Sequence, residues 1–273
     1  MLKNTTQTQR DIIDPARAAS LCRILGTGGS PIENGSPLPP FFHHAYFWQA
    51  CPEDMLGRDG HRRPGTGLIP DTGLPRRMWA GGALTFHRPL ITGKPAVKTS
   101  QVSQINHKQG KIGPLAFVTL QHDIRQGGHK VLSEQQELVY QNDPAPDSPR
   151  PTPPSAPDDP PETESFTFST TTLFRYSALT MNAHRIHYDV DYCRDVEGYP
   201  GLVVHGPILA QLLMLKAARR FGPLTGFTFR ATAPLFQNET VTLCRDGTHL
   251  WARGPDGRLC MDATARTEPN PQR

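Results

Sequence analysis

The sequence lacks the features that mark membrane, secreted or nucleic-acid-binding proteins. No apolar run approaches the roughly 20 residues needed to cross a bilayer, and the first residues have no apolar core of a secretory signal. Lysine and arginine do not form the runs typical of nucleic-acid-binding tails, and the net charge is only +4. We therefore expect a cytoplasmic protein that binds neither membranes nor nucleic acid.

Cysteine is scarce and dispersed. The five cysteines are odd in number and never spaced as Cys-x-x-Cys, which argues against both a disulfide framework and a zinc ribbon. Hydrophobic residues make up 36% of the 273 residues, an ordinary share for a globular protein. A chain of this length can form one large domain or two domains of roughly 100–150 residues.

Proline and glycine, by contrast, are abundant, with 28 and 24 residues. Prolines concentrate between residues 143 and 164, where they predict an extended, solvated linker because proline fixes its backbone angle and cannot donate to a β-ladder. A structureless segment of this length is uncommon inside a compact domain. The sequence therefore predicts a first unit over residues 1–142, a linker over 143–164 and a second unit over 165–273.

Hydrophobic periodicity predicts an α+β fold in which each unit places helices before strands. In the first unit we expect a helix over 15–25 that ends at Gly26, a second helix over 41–50, and strands over 78–86, 97–105, 115–124 and 130–140. In the second unit we expect an extended stretch over 165–172, a turn-rich segment, a buried helix over 208–220, and strands over 227–231, 240–244, 248–254 and 258–266.

The most informative block lies between Tyr176 and Gly206. It contains Asn-Ala-His-Arg-Ile-His at 182–187 and Gly-Tyr-Pro-Gly-Leu-Val-Val-His-Gly-Pro at 198–207. This block resembles the hydratase motif of the MaoC-like hotdog family, in particular its type 2 hydroxyacyl-thioester dehydratases and its itaconyl-CoA and mesaconyl-C4-CoA hydratases. Residues 75–82 and 111–118 resemble the N-terminal, non-catalytic hotdog of the same proteins.

The resemblance implies a double hotdog, in which two antiparallel sheets each wrap a central helix. The first unit would be a degenerate hotdog that supplies the wall of the acyl pocket, and the second would be catalytic. The implied activity is reversible addition of water to a 2-enoyl-CoA, with mesaconyl-C4-CoA or itaconyl-CoA giving citramalyl-CoA. The alternative within the family is dehydration of a (3R)-hydroxyacyl thioester in fatty-acid synthesis.

The same resemblance implies no metal and no redox cofactor. Coenzyme A enters only as part of the acyl-CoA substrate. We expect the chain to be a monomeric pseudo-dimer or a homodimer.

Water addition to an enoyl thioester requires a base, a positioned water and stabilisation of charge on the thioester oxygen. His187 is the candidate base, since imidazole titrates near neutrality. Asn182 is the candidate water-positioning residue, and it replaces an aspartate that many relatives carry. Because asparagine cannot accept a proton, His187 would be the sole base. Gly206 opens the central helix, so its backbone N–H is the candidate oxyanion donor.

Four further residues are candidates for substrate binding. Arg185 is predicted to form a local ion pair with Asp189, and the alternative is a contact with a substrate carboxylate. Trp79 is predicted to pack in the core at a bend, and the alternative is a place in the wall of the acyl or pantetheine tunnel. His205 and Tyr188 are also expected to bind substrate.

Two other function classes remain open from the sequence alone. A hotdog thioesterase would require a carboxylate on or near the central helix, where this chain offers only Gln211. A non-catalytic acyl-CoA-binding partner subunit would explain Asn182 but would leave His187 without a role. The histidines His184, His187 and His205 could suggest a metal site. No fourth ligand accompanies them, so we expect no metal to bind there.

Overall fold

The computed structural model describes residues 5–110, 113–144 and 151–268, and in these ranges the strands form one antiparallel sheet of ten. The strands are β1 Thr6–Ile12, β2 Arg76–Phe86, β3 Pro95–Gly110, β4 Gly113–Gln126, β5 His129–Gln141, β6 Glu162–Thr167, β7 Leu224–Ala231, β8 Thr240–Asp246, β9 His249–Arg253 and β10 Leu259–Thr267. The α-helices are α1 Pro15–Leu25, α2 Thr170–Thr180 and α3 Gly206–Phe221.

The order of the strands reveals an internal two-fold plan. The sheet runs β1-β3-β4-β5-β2-β7-β10-β9-β8-β6, so each half contributes five strands in the same order outward from the central β2–β7 pair. Each half also begins with an edge strand followed by a helix, β1 with α1 and β6 with α2. The architecture is therefore the double hotdog expected from the sequence, with the two sheets joined edge to edge.

The β2–β7 pair is the seam between the halves. Residues 81–85 of β2 pair with residues 226–230 of β7, and the β2 register shifts at a bulge between Trp79 and Gly81. A Cβ at Gly81 would lie 2.5 Å from the Phe229 carbonyl oxygen, and a Cβ at Gly82 would lie 2.5 Å from the Gln135 carbonyl oxygen. Gly81 therefore permits the close approach of β7 at the seam, and Gly82 permits that of β5 on the other side of β2.

Helix α3 is the central helix of the second half. Its residues 208–214 are buried, and it packs on β7, β9 and β10. Its basic last turn lies beside β6, where Arg219 donates to Glu164 at 2.5 Å. Both the buried helix and its cationic end agree with the prediction from the sequence.

Among the described residues of the first half, no helix is as long as α3. The helix predicted over 41–50 is wrong: only Phe42–Ala45 is helical, as a single 3₁₀ turn. Positive φ angles at Phe41 (71°) and Phe47 (60°) interrupt the backbone on both sides. The aromatic side chains that suggested a helix instead fill the core, where Phe41, Phe42, Tyr46 and Phe47 are each no more than 2% exposed.

Helix α2 corrects a second prediction. The sequence predicts an extended stretch over 165–172, yet residues 170–172, all threonines, form the first turn of α2. Ser169 caps this helix by accepting a hydrogen bond from the Thr172 N–H at 3.2 Å. The buried packing of Leu173 and Tyr176 outweighs the low helix propensity of threonine.

The proline-rich segment is only partly a solvated connector. Residues 145–150 lie outside the described residues, but Ala156 is 7% exposed and packs against Cys244 and Trp251. Pro154 accepts a hydrogen bond from the Leu259 N–H at 2.8 Å, and the Ala156 N–H donates to the Gly257 carbonyl.

None of the helices in the described part of the chain combines the length and the apolar character that a membrane-spanning helix requires.

Replacing Leu213 by alanine tests the packing of α3. Leu213 is fully buried, so its truncation should lower the free energy of unfolding by about 2–5 kcal/mol. The measurement is urea unfolding followed by circular dichroism. Leu215, only half-buried on the same helix, is the matched control, and its alanine variant should lose clearly less. Equal losses in the two variants would contradict this assignment of the core.

Candidate active site

A cavity of about 580 Å³ lies between the two halves and is lined by both. The second half contributes Asn182, His187 and Gly206, which the sequence singled out as a set. The first half contributes Trp79 and Arg77 from β2, among others. The cavity is the place where the three predicted catalytic groups meet.

The hydrogen bonding of His187 determines which of its ring nitrogens can act as a base. The residue ends a 3₁₀ turn, Arg185–His187, and is 5% exposed. Its Nδ1–H donates to the Val203 carbonyl oxygen at 2.8 Å, which leaves Nε2 with a free lone pair. Burial and the neighbouring His184 lower the pKa of His187 to about 3. The ring is therefore neutral at physiological pH, with the Nε2 lone pair available as an acceptor.

Asn182 follows the left-handed end of α2. Met181, at φ 50°, ends the helix, and Asn182 comes next with its side chain at the cavity. Its amide oxygen accepts a hydrogen bond from the His184 N–H at 3.2 Å. That bond fixes the orientation of the amide and leaves the second lone pair of the oxygen for a water.

Gly206 begins α3, where the first backbone N–H groups have no partner within the helix. No described residue accepts a hydrogen bond from the Gly206 N–H. A Cβ at this position would lie 2.8 Å from Cε3 of Trp79, so the indole ring occupies the space that any larger residue would need. Trp79 also stacks on Phe229, with ring centroids 4.8 Å apart. Both of its predicted roles, core packing and cavity wall, are thus compatible with its position.

His205 lies behind His187 and not in the cavity wall. The two rings stack with centroids 3.6 Å apart, and His205 Nε2 and the Ser177 hydroxyl are 2.8 Å apart in a hydrogen bond. Burial lowers the pKa of His205 well below its ordinary value. In this arrangement His205 supports the ring of the candidate base, His187. His205 could contact substrate directly only if the cavity extended past His187.

Arg185 and Tyr188 are also outside the cavity wall. Arg185 donates to the Asp189 carboxylate at 2.6 and 2.9 Å, the local ion pair that the sequence predicted. Tyr188 is 48% exposed, and its hydroxyl donates to the Ala183 carbonyl oxygen at 3.0 Å. The structure therefore does not bring these two candidates to the groups that line the cavity.

Two cavity residues from the first half were missed by the sequence analysis. His61 and Arg77 line the cavity beside His184, whose ring centroid is 5.3 Å from that of His61. The loop that carries His61 docks tightly on the catalytic segment, because a Cβ at Gly60 would lie 2.0 Å from the Ala183 carbonyl oxygen. The Asp-Gly-His sequence at 59–61 is the one local signal, a histidine beside a glycine in a loop, and it does not reveal its distant partner.

A second polar cluster lines the part of the cavity that lies within the first half. His43 and His44 each place Nε2 within 2.9 Å of an oxygen of the Glu134 carboxylate, and Lys98 lies nearby. Burial opposes ionisation of Glu134, but the two histidines outweigh it and hold its pKa well below the ordinary value. Burial lowers the pKa of His43 to about 4.

This cluster is also where the described residues come closest to a metal-ligand set. The ligand atoms of His43, His44 and Glu134 all lie within 4.8 Å of one another. Each histidine already forms a hydrogen bond to the carboxylate, so the group is satisfied without an ion. The histidines considered from the sequence, His184, His187 and His205, do not form such a set among the described residues.

A family model described as hydroxyacyl-thioester dehydratase type 2 matches residues 41–237. The mesaconyl-C(4)-CoA hydratase of Chloroflexus aurantiacus is 42% identical over 269 residues, which cover 95% of this chain and 94% of that protein. The mitochondrial hydroxyacyl-thioester dehydratase type 2 of Schizosaccharomyces pombe is 29% identical over 78% of this chain and 80% of its own length.

The fold also matches solved structures. The crystal structure of a MaoC-like dehydratase from Phytophthora capsici superimposes with a TM-score of 0.72, covering 100% of this chain and 98% of that one. The sequence identity is 14%, so this likeness concerns the fold alone.

The buried histidines predict how stability depends on pH. Burial lowers the pKa of six histidines: His43, His61, His122, His184, His187 and His205. These residues stay neutral in the folded protein, whereas the unfolded chain takes up protons below a pH of about 6.5. The unfolded state then binds more protons, so stability is highest above that pH and falls as pH decreases towards about 4.

Urea unfolding at pH 7.5 and pH 5.5 measures this effect, and the midpoint should be clearly lower at pH 5.5. Replacing the exposed His107 by glutamine is the control and should leave the difference between the two midpoints intact. Identical midpoints for the unmodified chain at the two pH values would show that the histidines are not buried in their neutral form.

Proposed function

This chain belongs to the hydroxyacyl-thioester dehydratase type 2 family, and from that premise we propose that it hydrates mesaconyl-C4-CoA to citramalyl-CoA. It is a hydro-lyase of the enoyl-CoA hydratase and dehydratase type. The specific substrate is the proposal, and its main support is the relative of that name at 42% identity over nearly the whole chain. A cytoplasmic location, a monomeric pseudo-dimer or homodimer, and a place in itaconate degradation belong to the same proposal.

The geometric observation that carries the reaction is that the free Nε2 of His187 and the N-terminus of α3 open onto one cavity. A thioester oxygen placed at Gly206 would accept its N–H and lie at the positive end of the helix dipole. Negative charge that builds on this oxygen as water adds to the double bond is stabilised there. Removing such a donor costs about 3 kcal/mol of barrier in other enzymes.

The proton transfers follow from the residues at hand. Asn182 holds a water through its amide oxygen, and His187 Nε2 accepts a proton from that water as its oxygen bonds to the β-carbon. The electron pair of the double bond moves toward the thioester oxygen, and the α-carbon then takes a proton back from the His187 imidazolium. Because Asn182 cannot exchange a proton, one histidine performs both transfers on one face, which gives syn addition.

The family alternative, dehydration of a (3R)-hydroxyacyl thioester in fatty-acid synthesis, is supported by the name of the Schizosaccharomyces relative. One feature of the cavity argues against long apolar chains. Leu138 pairs with Trp79, and Glu134 lies four residues away on β5, or about 13 Å at 3.3 Å per residue. A long chain that extended along β5 would therefore meet the buried polar cluster of Glu134, His43, His44 and Lys98.

The other two classes are less well supported. A hotdog thioesterase would require a carboxylate on or near the central helix. Gln211 is fully buried on α3, and its amide oxygen accepts a hydrogen bond from the Tyr176 hydroxyl at 3.3 Å. This position makes Gln211 a structural residue. A non-catalytic partner subunit would not require the oriented, neutral His187.

Replacing His187 by alanine tests the mechanism. The variant should lose about 10²–10⁴-fold in kcat with mesaconyl-C4-CoA and crotonyl-CoA, because the only base is gone. The assay follows the loss of enoyl absorbance together with free thiol, since released thiol would indicate a thioesterase. Exchange of the exposed His107 for alanine is the control. Undiminished turnover in the His187→Ala variant would rule out this mechanism.

A chain-length series separates the two family substrates. We expect kcat/KM to fall at least about tenfold from crotonyl-CoA to trans-2-decenoyl-CoA. The reason is that an apolar chain placed against buried polar groups removes the water that solvates them. Initial rates of hydration at several chain lengths provide the measurement. A kcat/KM that rises with chain length would favour the fatty-acyl dehydratase.

A further inference from the structure

Beside the catalytic groups, the cavity wall contains a basic patch that the hydration mechanism leaves unused. It consists of Arg77, His61 and His184, which all line the cavity. The His184 ring lies 5.7 Å from the ring of His187 and 5.3 Å from that of His61. The basic patch therefore adjoins the place where the β-carbon of the substrate must be attacked.

Arg77 has unused donors in this patch. Its Nη2 donates to the Arg62 carbonyl oxygen at 3.2 Å, and its Nε lies 3.6 Å from the Asp59 carboxylate, too far for a hydrogen bond. Nε is buried without a hydrogen-bond partner. Asp59 thus holds the guanidinium in place electrostatically and leaves part of its fork free for a ligand.

The histidines of the patch point to the charge of that ligand. His184 is 8% exposed, and its buried Nε2 has no hydrogen-bond partner. Burial, followed by the charge of Arg77, lowers the pKa of both His184 and His61. A buried polar group without a partner is costly, so His184 Nε2 and the Arg77 guanidinium together are suited to an anionic oxygen ligand.

The chemistry of the proposed substrate supplies such a ligand at the right carbon. In mesaconyl-C4-CoA the free carboxylate is bonded directly to the β-carbon, the atom that receives the water. A group that binds this carboxylate must therefore lie next to Asn182 and His187. We infer that Arg77, together with His184, binds the β-carboxylate of the acyl group and selects dicarboxylyl over simple enoyl thioesters.

This inference rests on the proposed function and goes beyond it by assigning the determinant of specificity. It also replaces the arginine considered from the sequence, because Arg185 is engaged by Asp189 outside the cavity wall. The polar cluster of His43, His44 and Glu134 is a weaker candidate, since its histidines already bond to its own carboxylate.

The test compares two substrates in an Arg77→Met variant. Mesaconyl-C4-CoA carries the β-carboxylate and crotonyl-CoA lacks it, so the ratio of their kcat/KM values isolates the contribution of that group. We expect the variant to lower this ratio by about 100-fold or more, as expected when one partner of a buried charge pair is removed. The loss should fall mainly on KM for mesaconyl-C4-CoA.

Two further variants keep the result interpretable. Arg77→Met combined with Asp59→Asn removes both buried charges, and it should show the same fall in the ratio if the single variant does not fold. Arg185→Met is the matched control and should leave the ratio as in the unmodified chain. As a third check, 3-methylcrotonyl-CoA has a methyl group in place of the carboxylate, and its inhibition constant should change far less than KM for mesaconyl-C4-CoA.

The outcomes separate this inference from the proposed function. If the unmodified chain hydrates mesaconyl-C4-CoA but Arg77→Met lowers both kcat/KM values equally, or Arg185→Met alone changes the ratio, the carboxylate assignment is wrong and the proposed function stands. If the unmodified chain hydrates crotonyl-CoA but not mesaconyl-C4-CoA, the proposed substrate and the inference both fail.

Discussion

The antiparallel pairing of β2 with β7 is the constraint on which the rest of this structure depends. It joins two five-stranded halves into one sheet and brings the cavity-lining face of β2 to the N-terminus of α3. Trp79, on that face, occupies the space where a Cβ of residue 206 would lie. The seam therefore determines which side chains form this wall of the cavity. It also explains why glycine is needed at the start of α3.

The seam also explains why a half without the catalytic motif is part of the site. The second half supplies the proposed base and the proposed oxyanion donor, but the cavity in front of them is closed by side chains of the first half. Arg77 and His61 come from that half, more than 100 residues before His187 in the chain. In a single hotdog of this sequence, the groups of the second half would lack the first-half surface that closes the cavity in front of them.

Burial sets the electrostatics of the site. His187 donates its Nδ1–H to a backbone carbonyl and stays neutral, which suits a base that must accept a proton from water. The neighbouring cation, Arg77, helps to lower the pKa of His184. Low dielectric thus bears on the two proposed tasks, proton transfer at His187 and attraction of an anion at the basic patch.

Regular elements were predictable where a single periodicity governs the chain. The strand over 97–105 in β3, the strands β4 and β5, and the apolar helix α3 were all predicted from the sequence. The missed elements are those in which tertiary packing opposes local preference. Threonines at 170–172 favour a strand but begin a helix, and the aromatic stretch at 41–50 fills the core with only one 3₁₀ turn.

The sequence by itself determined the chemical type of the site, because Asn182, His187 and Gly206 lie within 25 residues and their spacing carries the resemblance. It named Arg185 as the candidate arginine and missed Arg77, since nothing local to either residue shows which of them lines a cavity. Only the tertiary structure decided between them: one is paired with Asp189 outside the cavity wall and the other lines the cavity. The physical reason is that such a choice depends on which distant strands pair, and pairing across the seam is a property of the whole sheet.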